Sequence, residues 1–404
     1  MISEAQFRTE AITFLERNAK RRDLGSDAMA SDWIRLFQDQ TLDASQREIA
    51  EARAWRARVF DAGLGWIAGP ASYGGRALPR AYEALYRSLE SEFDVPPDEC
   101  FAVGLGMVAP TVLAHGGAET KDYCFPALYR GDLIACQLFS EPEAGSDLAG
   151  VRTRAVPDGD EWVLNGQKVW TSGAHYADLG EILTRTSSDP ASPHRGLTMF
   201  LMDMRAAGVE VRPLRQMTGG ASFNEVFLHD VRVPDARRLG AVGEGWSVAM
   251  TTLMSERAAI GHGVARAGTS VPARLRELVG RRKLGEDVTI RQIVADLWVR
   301  DRIADWTSQR ILAGVPPDEA PEPIMSLAKL AYTQNLQRFA EAAARLLGPA
   351  LVADTGEWGT YAWAEFVLGV PGMRLGGGTD EILREVLGER VLGLPKEPQP
   401  RNRE

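Results

Sequence analysis

Apolar and polar positions change rhythm twice along the chain. From residue 1 to about 125 the pattern is mostly helical. In Ala44–Phe60, Ile49, Ala52, Trp55 and Val59 recur every three or four residues among charged ones, which is amphipathic-helix spacing. Ala81–Phe93 predicts another such helix, stopped before Pro96-Pro97. Ala68-Gly69-Pro70 and Tyr73-Gly74-Gly75 read as loops. From about residue 133 the period shortens. Leu133–Phe139, Leu197–Met202, Val209–Val211 and Asn224–Val233 predict strands. Glu161–Leu164, then Asn165-Gly166, then Gln167–Trp170 predict a hairpin that turns at Asn-Gly. From Gly243 the helical period returns in Trp246–Arg266, Thr289–Ala313, Ile324–Leu347 and Glu381–Val391, with a proline-rich connector from Pro316 to Pro323. This order predicts an α+β multidomain chain: helices over residues 1–125, a β domain over 126–240 and a helical bundle over 241–404.

The 404 residues suit two or three domains, and 45% hydrophobic with 25% charged residues is ordinary for a globular chain. The net charge of -9 argues against a nucleic-acid partner, which would want a basic face. No apolar run approaches the roughly 18 residues of a membrane span, and the charged N-terminus lacks a signal-peptide core. Cys100, Cys124 and Cys136 form no paired motif and read as reduced thiols of a cytoplasmic protein. The five histidines are scattered, so no metal site is expected. Gly104-Leu105-Gly106 lacks a preceding strand and reads as loop or helix packing rather than a dinucleotide fingerprint.

The densest candidate chemistry lies between Ser140 and Gly173. Ser140–Asp147 reads SEPEAGSD and Asn165–Gly173 reads NGQKVWTSG. Ser140, Ser146 and Ser172 supply hydroxyls, Gly145 permits close backbone approach, and Trp170 can stack on a ring. That is a set suited to a flat, polar, aromatic cofactor. The same residue types also make ordinary turns between strands.

The order of elements and these motifs together resemble the acyl-CoA dehydrogenase family along essentially the whole chain. Tyr73-Gly74-Gly75, Pro126–Gly131 (PALYRG), Phe223–Pro234 (FNEVFLHDVRVP), Gly243–Trp246 and Gly377–Ile382 (GGTDEI) add to the likeness. Glu389–Pro395 (ERVLGLP) is similar to actinobacterial members acting on fatty acids and sterol side chains. The resemblance implies a barrel-like middle β domain, a C-terminal four-helix bundle, FAD, and conversion of an acyl-CoA to a trans-2-enoyl-CoA. It implies that Phe139, Ser140, Trp170, Thr171 and Ser172 flank the flavin ring, and that Gly145 and Ser146 lie by flavin and CoA phosphates. Arg281 is implied to reach the flavin diphosphate of a neighbouring subunit, and Thr379 and Glu381 to make C-terminal flavin contacts. Thr379 also reads locally as a helix N-cap with Asp380 and Glu381 in the first turn. An electron-transfer flavoprotein is the implied electron acceptor, and the implied assembly is a homodimer, homotetramer or heterotetramer.

The chain departs from the family in two places. Arg345, Gly348 and Pro349 stand where many members carry a glutamine and two glycines. Gly377 stands where straight-chain members carry the glutamate that removes the α-proton, and Gly376 where an aromatic usually precedes it. A branch that includes isovaleryl-CoA members places its glutamate on a C-terminal helix, and Leu253–Arg257 (LMSER) matches that motif. Glu256 is therefore the expected general base, with a carboxyl raised by burial and pulled back by Arg257. Gly377 is expected to act through its backbone N–H, polarising the thioester carbonyl. Arg257, Gly376 and Ser146 are the expected substrate contacts. Gly376-Gly377-Gly378 leaves room for a branched, cyclic or bulky acyl group, unless neighbours refill it. A flavin oxidase or monooxygenase on the same fold, and a subunit of a heteromeric dehydrogenase, are the alternatives.

Overall fold

The computed structural model describes residues 2–22, 34, 36, 42–187, 192–262, 271–314 and 323–396. The chain forms two compact units: Met1–Asp27 with Gln38–Thr252, and Ala28–Phe37 with Leu253–Glu404.

The first unit opens with helix α1 (Glu4–Asn18). Ser3 caps it in a reciprocal box with Gln6, and Phe7, Ala11 and Leu15 stack along one buried stripe. Strand β1 (Lys20–Arg21), helices α2 (Leu42–Asp61) and α3 (Arg80–Glu90) and strand β2 (Phe93–Asp94) follow. The α1 stripe packs with Trp55, Val59, Tyr86, Leu89 and Phe93 in one apolar cluster. Phe93 thus belongs to a short strand paired with β1, not to the end of the predicted helix. Gly104–Val108 makes a helical turn of the wide type that runs into α4 (Ala109–His115). Helix α5 (Ala118–Arg130) passes through residue 125 and ends on left-handed Gly131.

Eight strands build the main sheet: β3 (Ala135–Leu138), β4 (Arg154–Asp158), β5 (Glu161–Ser172), β6 (Leu179–Arg185), β7 (Leu197–Asp203), β8 (Val209–Leu214), β9 (Phe223–Pro234) and β10 (Arg238–Leu239). Pairing runs β10-β7-β6-β4-β5-β9-β8, with β3 parallel to β6, and the path does not close on itself among the described residues. Leu138, Leu164, Ile182, Phe200, Val226 and Leu228 fill its buried face.

The predicted turn at Asn165-Gly166 is a correction. Residues 161–172 form one continuous strand, paired with β9 from Glu161↔Pro234 to Ser172↔Phe223. The hairpin turns earlier, between β4 and β5, where Gly159 has φ +67° after Asp158. At Asn165 the register slips because β9 carries an extra residue, and Asp230 takes φ +51°. The Asn165 side chain locks that bulge: its Nδ2 donates to Asp230 Oδ1 at 2.9 Å and its Oδ1 accepts from the Asp230 N–H at 3.0 Å. Gly166 is demanded by close approach, since a Cβ there would lie 2.6 Å from Thr153 Oγ1.

Glu181 on β6 is fully buried, and burial pushes its carboxyl up to about 8 against the pull of hydrogen bonds from Thr252 and Thr111. Thr252 Oγ1 donates to Glu181 Oε1 at 2.9 Å and lies 2.9 Å from Thr111 Oγ1, while Oε2 has no hydrogen-bond partner. Above pH 4.5 an unfolded glutamate releases its proton while the folded one keeps it. This contribution is therefore full below pH 4.5 and lost as pH rises towards about 8. Relative to Glu181→Gln, the protein should lose about 4 kcal/mol between about pH 5 and about pH 8.5, read by urea unfolding at the two pH values.

Helix α6 (Gly245–His262) leads into the second unit. That unit contains α7 (Val271–Arg281), α8 (Val288–Gly314), α9 (Met325–Leu347), α10 (Ala364–Leu375) and α11 (Asp380–Val386), which continues as a wide turn over Leu387–Val391. Leu275, Leu278, Leu297, Leu336, Phe339 and Phe366 meet in its core. The expected ends of the α6 helix at 263–266 and most of the Pro316–Pro323 connector lie outside the described residues. Among the described residues no helix is long and apolar enough to cross a membrane, and no group of three His, Cys, Asp or Glu side chains could hold a metal ion.

Candidate active site

In the first unit, one buried ion pair ties the two predicted motifs together. Lys168 Nζ donates to the Phe139 carbonyl at 2.9 Å and to Glu141 Oε1 at 2.8 Å. The Ser140 carbonyl accepts from the Val169 N–H at 2.9 Å. Glu141 also accepts from the Arg152 and Thr153 N–H groups at 2.7 and 2.9 Å. Burial alone would raise Glu141; the Lys168 charge and these hydrogen bonds outweigh it and hold the carboxyl below its usual value. Burial draws Lys168 down to about 8, with Glu141 pulling the other way. A tight turn follows, closed by Glu141 and Ala144 exchanging both backbone hydrogen bonds at 3.0 Å. It leaves Gly145 and Ser146 exposed, and a Cβ on Gly145 would meet nothing within 4 Å.

Between Lys168 and Thr171 strand β5 carries an extra residue, and Trp170 takes φ +60° there. A bulky side chain adopts that conformation only when its surroundings impose it. The bulge aims Trp170 outward: the ring is 60% exposed, and its one aromatic neighbour among the described residues is Phe223, edge-on at 6.0 Å. Ser172 beside it is exposed, whereas Thr171 is buried with its hydroxyl unpartnered. An exposed indole, an exposed hydroxyl and an orphaned buried hydroxyl on adjacent residues fit a planar group with polar edges.

In the second unit, Glu256 on α6 is half-buried. Burial raises its carboxyl above the ordinary value, while the charges of Arg257 and Lys329 and a hydrogen bond from the Gly377 N–H pull it back. Glu256 and Gly377 are therefore adjacent. The N–H expected to face a substrate oxygen here lies beside the carboxylate and favours its ionised form. Arg257 is 5% exposed, its Nη1 lies 3.4 Å from Met254 Sδ, and its Nε has no partner. Gly376 is exposed and Gly377 buried. Thr379 caps α11 as expected, its Oγ1 accepting from the Ile382 N–H at 3.3 Å. Glu381 projects into solvent with a loose pairing to Arg384 at 3.7 Å. Arg281 is half-exposed; its Nε donates to Glu277 Oε1 at 2.9 Å and its guanidinium lies over Trp358 at 4.5 Å.

Two residues escaped the sequence reading. Arg282, with Arg281, Glu357 and Trp358, lines an open depression of about 510 Å³. Its buried Nε and Nη2, like Trp358 Nε1, lack acceptors. These donors suit an anionic group. Lys329 is fully buried on α9, and its Nζ donates to the Gly378 carbonyl at 2.8 Å. A lysine between alanine and leucine in a largely apolar helix was the available signal.

The acyl-CoA dehydrogenase middle domain matches residues 136–231, and the C-terminal domain of the same family matches residues 243–392. The chain belongs to the acyl-CoA dehydrogenase family. These are flavoprotein oxidoreductases of fatty-acid and lipid metabolism. Acyl-CoA dehydrogenase FadE34 of Mycobacterium tuberculosis is 36% identical over 95% of this chain, and the match spans 52% of that protein, about half its length. Acyl-CoA dehydrogenase IpdE1 of the same organism is 35% identical over 86% of this chain and 89% of its own. Among solved structures the fold matches the Tcur3481-Tcur3483 steroid ACAD with a TM-score of 0.74 and 22% identity, covering 98% of this chain and 99% of that one.

Proposed function

We propose that this acyl-CoA dehydrogenase family member uses FAD to convert an acyl-CoA thioester to its trans-2-enoyl-CoA, with Glu256 taking the α-proton. The supporting observation is the pairing of a half-buried, raised carboxyl at Glu256 with the N–H of Gly377, the position that itself offers no carboxylate. When bound, FAD supplies the two-electron acceptor for the β-hydride. Phe139, Ser140, Trp170, Thr171 and Ser172 would hold its ring, and Gly145 and Ser146 its phosphates or those of CoA. Arg281, now joined by Arg282, would serve a diphosphate, and Thr379 and Glu381 the C-terminal contacts. Arg257, Gly376 and Ser146 would serve the substrate. The Gly377 N–H would polarise the thioester carbonyl; one such donor contributes roughly 3 kcal/mol in comparable oxyanion sites. A carboxyl raised by its surroundings is a stronger base than an ordinary glutamate once ionised.

The side-chain-free run at 376–378 supports a branched, cyclic or otherwise bulky acyl group. Anaerobic titration of the flavin-loaded protein with octanoyl-, isobutyryl-, cyclohexanecarbonyl- and steroid side-chain acyl-CoA tests both points. Bleaching of the flavin, fastest with a bulky acyl group, is the expected result. Preference for straight chains removes the bulky-substrate reading, and no bleaching by any of them removes the dehydrogenase reading. The electron acceptor proposed is an electron-transfer flavoprotein. An assembly with a second, different chain is favoured over a homo-oligomer by the likeness to the ChsE4-ChsE5 complex from Mycobacterium tuberculosis, 25% identical over 98% of this chain.

A further inference from the structure

The Gly376-Gly377-Gly378 loop must present one N–H with no side chain of its own to hold it. Gly377 and Gly378 sit at φ +68° and +90°, a backbone with wide freedom in an unrestrained chain. Four contacts remove that freedom. The Gly376 N–H bonds the Gly372 carbonyl at 3.0 Å. Thr379 caps α11. Asp380, 1% exposed, accepts from Arg374 Nε and Nη2 at 2.9 and 2.7 Å and from Thr333 Oγ1 at 3.3 Å. The fourth contact is the bond from Lys329 Nζ to the Gly378 carbonyl at 2.8 Å. Lys329 and Thr333 stand one turn apart on α9, so a single helix face grips residues 378 and 380. Methionine would fill the same space without an ammonium to desolvate, so packing alone gives no reason for a charge there.

We propose that Lys329 is a positioning residue for proton abstraction: it clamps the Gly378 carbonyl so that the Gly377 N–H stays directed at the reacting groups, and it places a second cation, besides Arg257, facing Glu256. This rests on Glu256 being the base. Glu256 is faced by Arg257 from its own helix, by Lys329 from α9 and by the Gly377 N–H from the loop. Lys329 is faced by Asp380 and Glu256, which favour its charge, and by Arg257 and Arg374, which oppose it. Burial draws Lys329 down to about 8, so it carries its charge at neutral pH. Removing that charge raises the pH at which Glu256 ionises.

The test compares Lys329→Gln and Lys329→Arg with wild type, using the acyl-CoA that bleaches wild type fastest in the titration above. In Lys329→Gln, kcat/KM should fall on the order of 100-fold, and its acid limb should move up by about one pH unit. Lys329→Arg should keep the limb near its wild-type position. The infrared carboxylate band of Glu256, assigned by its loss in Glu256→Gln, gives the same midpoint without turnover. That midpoint should rise by about one pH unit in Lys329→Gln. An unmoved midpoint and limb overturn the proposal, even if thermal stability drops, because a merely structural lysine would produce that pattern. If Lys329→Gln does not fold, Lys329→Arg decides: a limb displaced upward by about one unit despite the retained charge overturns it. Near-normal turnover in Glu256→Gln would remove the base assignment itself. An inactive Glu256→Gln with an unchanged Lys329→Gln removes only the role of Lys329.

Discussion

Replacing Glu256 with glutamine is expected to leave flavin binding intact and to lower dehydrogenation by roughly 10³-fold or more. Glutamine matches glutamate in shape and can still accept from the Gly377 N–H, so the loop should stay in place while the proton acceptor is lost. Single-turnover flavin bleaching separates this from slow product release. The wild-type pH profile carries a matching signature. Glu256 is raised above an ordinary glutamate, chiefly by burial, so its active, ionised form is lost as pH falls through that raised value. The acid limb of kcat/KM should therefore lie above pH 4.5, the unperturbed position of a glutamate. Glu256→Gln with near-normal turnover would show that the proton leaves by another route.

Lys168→Met should destabilise the protein by about 3–5 kcal/mol, the usual effect of removing one partner of a buried ion pair. The variant strands Glu141, 8% exposed, without its cation and leaves the Phe139 carbonyl without its donor. Glu141 keeps its two backbone donors, which favours the lower end of that range. Urea unfolding followed by tryptophan fluorescence measures the loss. Flavin occupancy should fall with it, because the same ammonium joins the strand carrying Trp170 to the segment Phe139–Ser140. A loss below about 1 kcal/mol would mean that the pair contributes no more than an exposed salt bridge.

The sequence made the succession of helices, strands and helices legible because each element is long enough for its period to show. Thr379 was legible for a local reason: a hydroxyl followed by two acids favours a helix start, because the hydroxyl caps the first N–H groups and the acids meet the positive end of the helix. Asn165-Gly166 misled because its composition matches a turn while its geometry is set by strand β9, more than fifty residues away in sequence. Asp158-Gly159 carried the same turn chemistry and closes the hairpin. Trp170 was visible as an aromatic followed by two hydroxyl residues, but its left-handed backbone depends on pairing that no local pattern encodes. Lys329 was invisible for the same kind of reason. A single lysine in an apolar helix normally reaches solvent, and only the fold shows that this one ends on a carbonyl of the glycine loop.

The bulge at Asn165 also bears on how the protein ages. An asparagine followed by glycine deamidates when the glycine nitrogen folds back onto the side-chain amide to form a succinimide. Here both ends of that amide are held by Asp230, and the backbone is extended within the sheet. The chain carries its most labile dipeptide in a place where the ring cannot close. Isoaspartate at this position would accumulate only in molecules whose sheet has opened, and so would record past unfolding in a purified sample.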